Sequence, residues 1–196
     1  MERFLNNKLE VIQPAVCINI YKKAIDATAF MYDVNADMSN QWSDVQWTKS
    51  SVGSGTIGEY RTSAEANISH LESIDSSLGN RFKKIANRIL DDIIPDYRDE
   101  HIVQTTAYEG WRLLKYSGGG EYHSHYDHSP ANSRIISLVA FLEEPQSGGE
   151  LEFPFFNVIV KPEAGDVVVF PSNFPYVHIA HPVSEGTKCS LVTWFQ

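Results

Sequence analysis

The chain has 196 residues, of which 42% are hydrophobic and 21% are charged, with a formal net charge of −9 at pH 7. This length suits one domain with a full core, and no stretch approaches the roughly 20 apolar residues that a membrane-spanning helix needs. The acidic excess disfavours extended contact with a phosphate backbone, which requires clustered cations. We therefore expect a soluble globular protein that binds neither membrane nor nucleic acid.

The amino-terminal segment and the two cysteines indicate a cytoplasmic protein. Residues 1–14 contain no apolar run followed by small residues, so we identify no secretory signal. Cys17 and Cys189 are far apart and in no metal-binding spacing, which predicts neither a disulfide framework nor a thiolate metal site. Both thiols are expected to be buried or unreactive.

The first half of the chain has helical patterns on either side of a Gly- and Ser-rich segment. A helix is predicted after Pro14, around residues 18–25. The segment Lys49 to Ser63 is interpreted as a mobile loop and a candidate lid. Apolar residues then recur at a 3-4-4-3-4-4 spacing over residues 71–93, which predicts a helix with one apolar stripe. Pro95 is expected to end that helix.

From Trp111 onward the pattern changes to short β-branched and aromatic runs separated by turn residues. These runs are WRLLKY, RIISLVAFL, NVIV, DVVVF and KCSLVTWF. They predict a mainly β fold, an antiparallel sandwich or jelly roll of the double-stranded β-helix, cupin-like kind, with supporting N-terminal helices on one outer face. The expected organisation is a single domain over residues 1–196. Residues 1–100 would be helical support and mobile loop, and residues 111–196 the jelly-roll core.

The segment EYHSHYDHS contains a candidate metal-binding pair. His125 and Asp127 are two residues apart, which on a strand places both side chains on one face. His178, in another strand-like run, is the candidate third ligand. Two imidazoles and one carboxylate leave coordination positions open, an arrangement suited to iron(II) that binds a bidentate cosubstrate and then oxygen.

Other histidines leave alternatives open. His123 shares the predicted strand face of the pair, so it could be a neighbour of the metal or a ligand in a zinc-like cluster. His128 and His181 also flank the proposed ligands. His70 and His101 lie outside the strand-rich half and are expected at the surface.

Lys188 lies on the last predicted strand, ten residues after His178. A cation that points into an apolar barrel is unfavourable unless a counterion meets it, and the distal carboxylate of 2-oxoglutarate would be such a counterion. The alternation of Lys188 with Ser190, Val192 and Trp194 does not distinguish this role from that of an exposed lysine.

Five segments in order make residues 61–195 resemble the prolyl 4-hydroxylase branch of the iron(II)/2-oxoglutarate-dependent dioxygenases. The segments are RTS, YSGGGEYHSHYD, RIISLVAFL, GGELEFP and HIAHPVSEGTK, the last followed by a TWF strand. The resemblance implies that the whole chain is one dioxygenase domain, similar to compact single-domain members of the branch.

The resemblance also implies roles for individual residues. His125, Asp127 and His178 would bind iron(II), and no catalytic residue is implied beyond these ligands. The proposed cosubstrate-binding residues are Lys188, Tyr116 and Trp194, and the proposed substrate-binding residues are Arg61, Ser63 and Arg134. Phe141 is a departure, because prolyl hydroxylases commonly have at this position a tyrosine that donates a hydrogen bond to the cosubstrate.

The activity implied by the resemblance is hydroxylation of prolyl residues in a peptide or protein to 4-hydroxyproline. Such a reaction uses iron(II), 2-oxoglutarate and O2, releases succinate and CO2, and takes L-ascorbate as reductant. Hydroxylation of a free amino acid or small molecule on the same iron site is an alternative, although Arg61 and Ser63 favour a peptide. A nucleic-acid demethylase is disfavoured by the acidic charge. A non-catalytic metal-binding jelly-roll module is the alternative from another class.

Overall fold

The structure is a computed structural model that describes residues 1–5, 9–37, 43–50 and 60–196. In these ranges the strands are β1 Glu2–Leu5, β2 Leu9–Ala15, β3 Ile18–Tyr21, β4 Thr48–Lys49, β5 Ala64–Asn67, β6 Arg112–Ser117, β7 Tyr122–His125, β8 Ile136–Glu143, β9 Ser147–Gly148, β10 Leu151–Phe153, β11 Val158–Val160, β12 Val167–Pro171, β13 His178–Ala180, β14 Val183–Glu185 and β15 Thr187–Phe195. The helices are α1 Ala27–Asp37, α2 Ser77–Asn87, a π-helical segment Arg88–Ile93, α3 Ile94–His101, and 3₁₀ turns at Ser69–Glu72 and Pro154–Phe156.

Two antiparallel sheets form the body of the protein. Within the described ranges, the major sheet has nine strands in the order β1-β2-β3-β12-β8-β15-β6-β5-β4. The minor sheet has four, in the order β11-β10-β13-β7, and β9 and β14 form a separate short pair. The mainly β fold with supporting helices is confirmed. The five apolar runs read as strands form β6, β8, β11, β12 and β15, with bounds that agree within two residues.

The major sheet is buried on both faces, which explains why its central strands are almost continuously apolar. In β12, Val167 and Val169 pack on the side of the helices, whereas Val168 and Phe170 pack toward the minor sheet. Side chains of a strand alternate in this way, so a strand between two layers must be apolar at every position. Helices α1 and α2 cover the first side, as predicted for helices of the first half.

The helix predicted after Pro14 is wrong, because residues 9–21 form the hairpin of β2 and β3. Strand β3 pairs with β12, with Ile20 opposite Val168. This pairing provides backbone hydrogen bonds on the side of β12 that does not face β8, and such tertiary pairing overrides a weak helical period.

The helix predicted over residues 71–93 is found from Ser77 onward, and Pro95 does not end it. The chain continues through the π-helical segment into α3, where the Ile94 N–H donates to the Ile89 carbonyl five residues back. Because Pro95 lies in the first turn of α3, its missing N–H and its ring are tolerated. The helix ends at His101.

The candidate lid, Lys49 to Ser63, lies largely outside the described residues, and closure over a site stays a prediction. Where it is described, Lys49 is in β4 and Arg61 makes a bridge with Tyr122 of β7. Of the helices in the described ranges, none has the length and apolar character that crossing a bilayer requires.

Candidate active site

The three predicted metal ligands converge between the two sheets. His125 ends β7 and pairs directly with His178 at the start of β13. Asp127 lies two residues beyond β7 rather than on the strand, with its N–H donating to the Ser172 carbonyl at 2.9 Å. One donor atom from each of the three side chains lies within 4.8 Å of the others. Their convergence therefore depends on a strand pair and on an anchored bend.

Both imidazole rings are held so that one nitrogen faces inward. His125 Nδ1 is 2.7 Å from the His123 carbonyl, and His178 Nδ1 is 3.1 Å from the Tyr176 carbonyl. A carbonyl oxygen can only accept, so each Nδ1 carries the proton and each Nε2 has a free lone pair. Burial, with a further contribution from His178, lowers the pKa of His125 to about 3. The ring is therefore neutral at pH 7, as a metal ligand must be.

A buried pair of serines orients the carboxylate. Ser137 Oγ donates to Asp127 Oδ2 at 2.6 Å and lies 2.8 Å from Ser172 Oγ. Burial alone would raise the pKa of Asp127, but the two imidazoles and the Ser137 hydrogen bond outweigh it and lower that pKa. The carboxylate is thus ionised, and its Oδ1 lies 3.6 Å from His125 Nε2. This donor set of two imidazoles and one carboxylate fits iron(II).

A cavity of about 280 Å³ opens beside these ligands. Its walls come from both sheets: β6, β8 and β15 on one side and β7, β10 and β13 on the other. Lys188, Ser190, Val192 and Trp194 all line it, so the alternation along β15 directs this set of side chains inward. A cavity of this size suits a small anion placed next to the metal ligands.

Lys188 is a buried cation on the cavity wall, with a side chain that is only 2% exposed. Its Nζ donates to the Gly149 carbonyl at 2.8 Å and lies 4.5 Å from the centre of the Tyr116 ring. Among the described residues it forms no salt bridge. Burial lowers the pKa of Lys188 to about 8, with Glu150 opposing the shift. A buried ammonium without a carboxylate partner is suited to bind an anion.

Gly149, from the GGELEFP segment, explains how the Lys188 side chain fits. Its φ is +75°, and a Cβ at this position would lie 3.1 to 3.3 Å from side-chain atoms of Val183, Pro145 and Lys188. A larger residue would be strained and would crowd the lysine stem. Glycine therefore allows the carbonyl to meet the ammonium.

Tyr116 and Trp194, the two aromatic residues predicted to line the cosubstrate pocket, both lie on this wall. Tyr116 is buried and pairs with Lys188 across β6 and β15. Phe141 is buried on β8 and faces the same cavity. Because phenylalanine has no hydroxyl, Phe141 cannot donate a hydrogen bond to a ligand in the cavity. Lys188 is the charged donor on this part of the wall.

Arg134 lines the cavity but already has a partner. Its guanidinium donates twice to the Glu109 carboxylate, at 2.8 and 2.5 Å, and lies 3.8 Å from the centre of the Trp194 ring. The Arg134 hydrogen bond is the main cause of a lowered Glu109 pKa. This arginine is thus a paired charge on the cavity wall rather than a free one.

The two remaining predicted substrate residues differ in position. Arg61 lines the cavity, with its guanidinium 4.8 Å from the centre of the Tyr122 ring. Ser63 is not part of the cavity wall. It accepts a hydrogen bond from Arg61 Nε at 3.1 Å and donates to Ser50 Oγ at 2.8 Å. Ser63 therefore orients Arg61.

The alternative histidine cluster does not form in the part of the chain that the structure describes. His123 is exposed beside Glu121, and His128 Nδ1 contacts the Arg134 carbonyl at 3.0 Å. His181 Nε2 lies 2.6 Å from a Glu152 carboxylate oxygen. Among the residues that the structure describes, only His125, Asp127 and His178 bring their ligand atoms close enough together to hold a metal ion.

Several site residues escaped sequence reasoning. They are Tyr122, which stacks on His125 at 3.5 Å, and Ser137, Arg112, Asn132 and Glu109. Arg112 alternates with Leu114 and Tyr116 along β6, so the period of that strand could have placed it on the cavity. Ser137 could have been found as a polar residue inside an apolar strand.

The part of the chain that carries this site matches a known family model. Residues 111–196 match the model of the 2OG-Fe(II) oxygenase superfamily. This segment resembles the oxygenase domain of prolyl 4-hydroxylases. The domain contains all three proposed metal ligands and Lys188, and the family name gives its metal and cosubstrate as iron(II) and 2-oxoglutarate.

Curated relatives of the oxygenase domain include plant and bacterial hydroxylases. Prolyl 4-hydroxylase 13 of Arabidopsis thaliana is 30% identical over 118 residues, which cover 45% of this chain and 43% of that protein. A PKHD-type hydroxylase of Rippkaea orientalis is 28% identical over 173 residues, 72% of this chain and 77% of that protein. The chain thus spans less than half the length of the Arabidopsis relative.

Solved structures confirm the jelly-roll fold. The viral collagen prolyl hydroxylase of Paramecium Bursaria Chlorella virus-1, in a 2OG complex, superposes with a TM-score of 0.66 at 19% identity, covering 92% of this chain and 98% of that one. A Trichoplax adhaerens prolyl hydroxylase with a hypoxia inducible factor peptide gives 0.73 at 13% identity, covering 91% and 83%. At these identities the likeness concerns the fold.

Proposed function

We propose that this protein is an iron(II)- and 2-oxoglutarate-dependent dioxygenase in which His125, Asp127 and His178 bind the iron ion. The observation that carries the proposal is that one cavity combines this donor set with the buried ammonium of Lys188. The metal site and the ammonium together match a ligand that has a chelating end and a distal carboxylate. 2-Oxoglutarate has both.

When bound, iron(II) with 2-oxoglutarate and O2 supplies the oxidant that hydroxylates an aliphatic carbon, with release of succinate and CO2. The residues of this chain bind the iron ion and the cosubstrate and orient them. Lys188 holds the distal carboxylate, and the walls at Tyr116, Phe141 and Trp194 exclude water. The Nδ1–H hydrogen bonds of the two histidines keep their Nε2 lone pairs aimed inward. L-Ascorbate is the proposed reductant.

The proposed acceptor is a prolyl residue in a peptide or protein, with 4-hydroxyproline as the product. Support comes from relatives that are named prolyl 4-hydroxylases and from a structural neighbour, the Trichoplax adhaerens prolyl hydroxylase, that is in complex with a peptide fragment. In this chain, Arg61 and Arg134 line the cavity as side chains that can contact a peptide backbone. Free proline is the matched alternative acceptor.

The deciding experiment incubates the protein with iron(II), ascorbate, 2-oxoglutarate, O2 and either a proline-rich peptide or free L-proline. We expect stoichiometric succinate and a mass gain of one oxygen on peptidyl proline. Hydroxylation of free proline alone would overturn the peptide acceptor, and no succinate with any acceptor would support a non-catalytic module.

Matched variants test the metal ligands. His178→Ala and Asp127→Ala should reduce succinate formation at least about a hundredfold, because each removes one of three ligands. His181→Ala is the control, since this nearby histidine contacts Glu152 away from the ligand group. Undiminished turnover by His178→Ala would rule out the proposed triad.

A further inference from the structure

A second group of reactive side chains lies where the β2–β3 hairpin packs against α3. Cys17 is in the turn of this hairpin, and its Sγ is 3.6 Å from His101 Nδ1. His101 Nε2 is in turn 3.1 Å from Asn19 Oδ1. Asn19 is fully buried and the His101 side chain is 11% exposed, so the sequence expectation of a surface His101 is wrong. The Cys17 thiol, the His101 imidazole and the Asn19 amide therefore form a chain of hydrogen-bonding contacts.

The hydrogen bonds determine which nitrogen of His101 carries the proton. Asn19 Nδ2 donates to a Glu100 carboxylate oxygen at 2.7 Å, which directs the amide oxygen toward His101. An amide oxygen only accepts, so His101 Nε2 must carry the hydrogen, and Nδ1 presents its lone pair to the Cys17 thiol. Burial lowers the pKa of His101, although Glu100 opposes the shift, and the ring is neutral at pH 7. His101 is thus oriented as a base for the thiol.

The backbone of Cys17 is unusual. Its φ is +55°, in the left-handed region that favours glycine. A residue with a side chain is strained in this region, and such outliers concentrate at functional sites. The Tyr97 hydroxyl donates to the Cys17 carbonyl at 2.8 Å and helps to hold this conformation. The strain at a non-glycine residue points to a use for the thiol.

A cavity of about 410 Å³ adjoins the thiol. Cys17 and His101 line one part of it, and Arg134 and Asn173 line another. Because Arg134 also lines the iron-site cavity, the two cavities lie on either side of the segment that carries this arginine. The volume is within the range of small-molecule sites, so a small reagent has room to reach the sulfur.

We propose that Cys17 is a reactive thiol, with His101 as its base, which forms a mixed disulfide with a low-molecular-weight disulfide in this cavity. The sulfur of Cys17 attacks one sulfur of the incoming disulfide as His101 Nδ1 takes the thiol proton. A new S–S bond forms, the old one breaks, and the leaving thiolate receives that proton. Cys17 is oxidised and the departing half is reduced to a thiol.

Modification by 2,2′-dithiodipyridine at pH 7 tests the site in the unaltered protein, with peptide mass spectrometry to assign the modified cysteine. The first control is the peptide PAVCINI, which has the same local sequence without His101. The second is Cys189, which is buried and whose pKa is raised to about 12 by burial. We expect Cys17 in the folded protein to react at least about tenfold faster than the peptide, since base assistance contributes about a hundredfold or more. A rate equal to or below that of the peptide would overturn the proposal.

Variants test the role of His101 separately. His101→Gln should slow modification of Cys17 at least about tenfold, whereas His70→Gln, at an exposed histidine, should leave it unchanged. Thermal unfolding of each variant identifies loss of fold, and the peptide comparison applies whether or not His101→Gln folds. A rate for folded His101→Gln within twofold of the original would contradict the assignment of His101 as the base.

Discussion

Of the four cations that line the iron-site cavity, Arg134 and Lys188 have surroundings that differ most clearly in charge. Arg134 has a bidentate salt bridge with Glu109 and covers the Trp194 ring. Lys188, which is more deeply buried, has a carbonyl and a ring face as partners and no salt bridge among the described residues. The charge of Arg134 is therefore compensated within the fold. That of Lys188 is not, so we expect Arg134 to stabilise the protein and Lys188 to bind the proposed cosubstrate.

The largest expected effect is on cosubstrate binding. Lys188→Ala should weaken 2-oxoglutarate binding about a hundredfold, since removing one partner of a buried charge pair costs about 2–5 kcal/mol. Arg134→Ala should change the same Kd by less than about threefold. Anaerobic calorimetry with Mn(II) in place of iron measures both. Equal losses for the two variants would remove the distinction between the cations.

The next effect is on stability, and here we expect the loss of Arg134, rather than of Lys188, to be harmful. Arg134→Ala should lower the free energy of unfolding by roughly 2 kcal/mol, because it leaves the partly buried Glu109 carboxylate unpaired. Arg134→Lys keeps the charge but loses the bidentate geometry, so it should recover only part of the loss. Urea unfolding measures the difference. An unaltered midpoint for Arg134→Ala would show that the pair is not structural.

Lys188→Met should stabilise the protein in the absence of cosubstrate, by about 1–2 kcal/mol, since it replaces an uncompensated buried charge with an apolar side chain. Arg134→Met is the matched variant and should destabilise. Thermal unfolding without 2-oxoglutarate distinguishes the two signs. A lower melting temperature for Lys188→Met would mean that the ammonium is already compensated.

The smallest effect is the pH dependence of cosubstrate binding. The pKa of Lys188 is about 8 in the free protein because burial lowers it, with Glu150 opposing and the Tyr116 ring adjacent. Binding a carboxylate requires the charged form, so the Kd for 2-oxoglutarate should be flat below pH 8 and about tenfold higher at pH 9. Lys188→Arg, which stays charged, should show no rise. A parallel rise in Lys188→Arg would assign the titration to another group.

The strand-rich half and the closeness of His125 to Asp127 could be predicted from sequence because their signals are local. Apolar runs predicted β6, β8, β11, β12 and β15, and the His125–Asp127 spacing predicted two side chains that the fold brings together as proposed ligands. The β2–β3 hairpin could not be predicted in this way, since its stability depends on pairing with β12, almost 150 residues later. The helix continues past Pro95 because of a π-helical segment, which no sequence pattern predicts.

Whether each cation has a salt-bridge partner could likewise not be predicted from the sequence. Glu109 precedes Arg134 by 25 residues and lies in a different segment, so nothing in the pattern predicts their salt bridge. The same holds for His101 and Cys17, which are 84 residues apart. Side-chain pairing across the fold, rather than residue type, distinguishes a structural charge from a binding charge.

The direct pairing of His125 with His178 across β7 and β13 has a consequence for how such sites vary among relatives. Two of the three proposed ligands are fixed by a local strand register, so the chain between them can lengthen or shorten in its loops without moving either nitrogen. We therefore expect related proteins to keep the order of the ligands along the sequence. The number of residues from Asp127 to the second histidine can vary. A search for related proteins should weight that order and tolerate gaps.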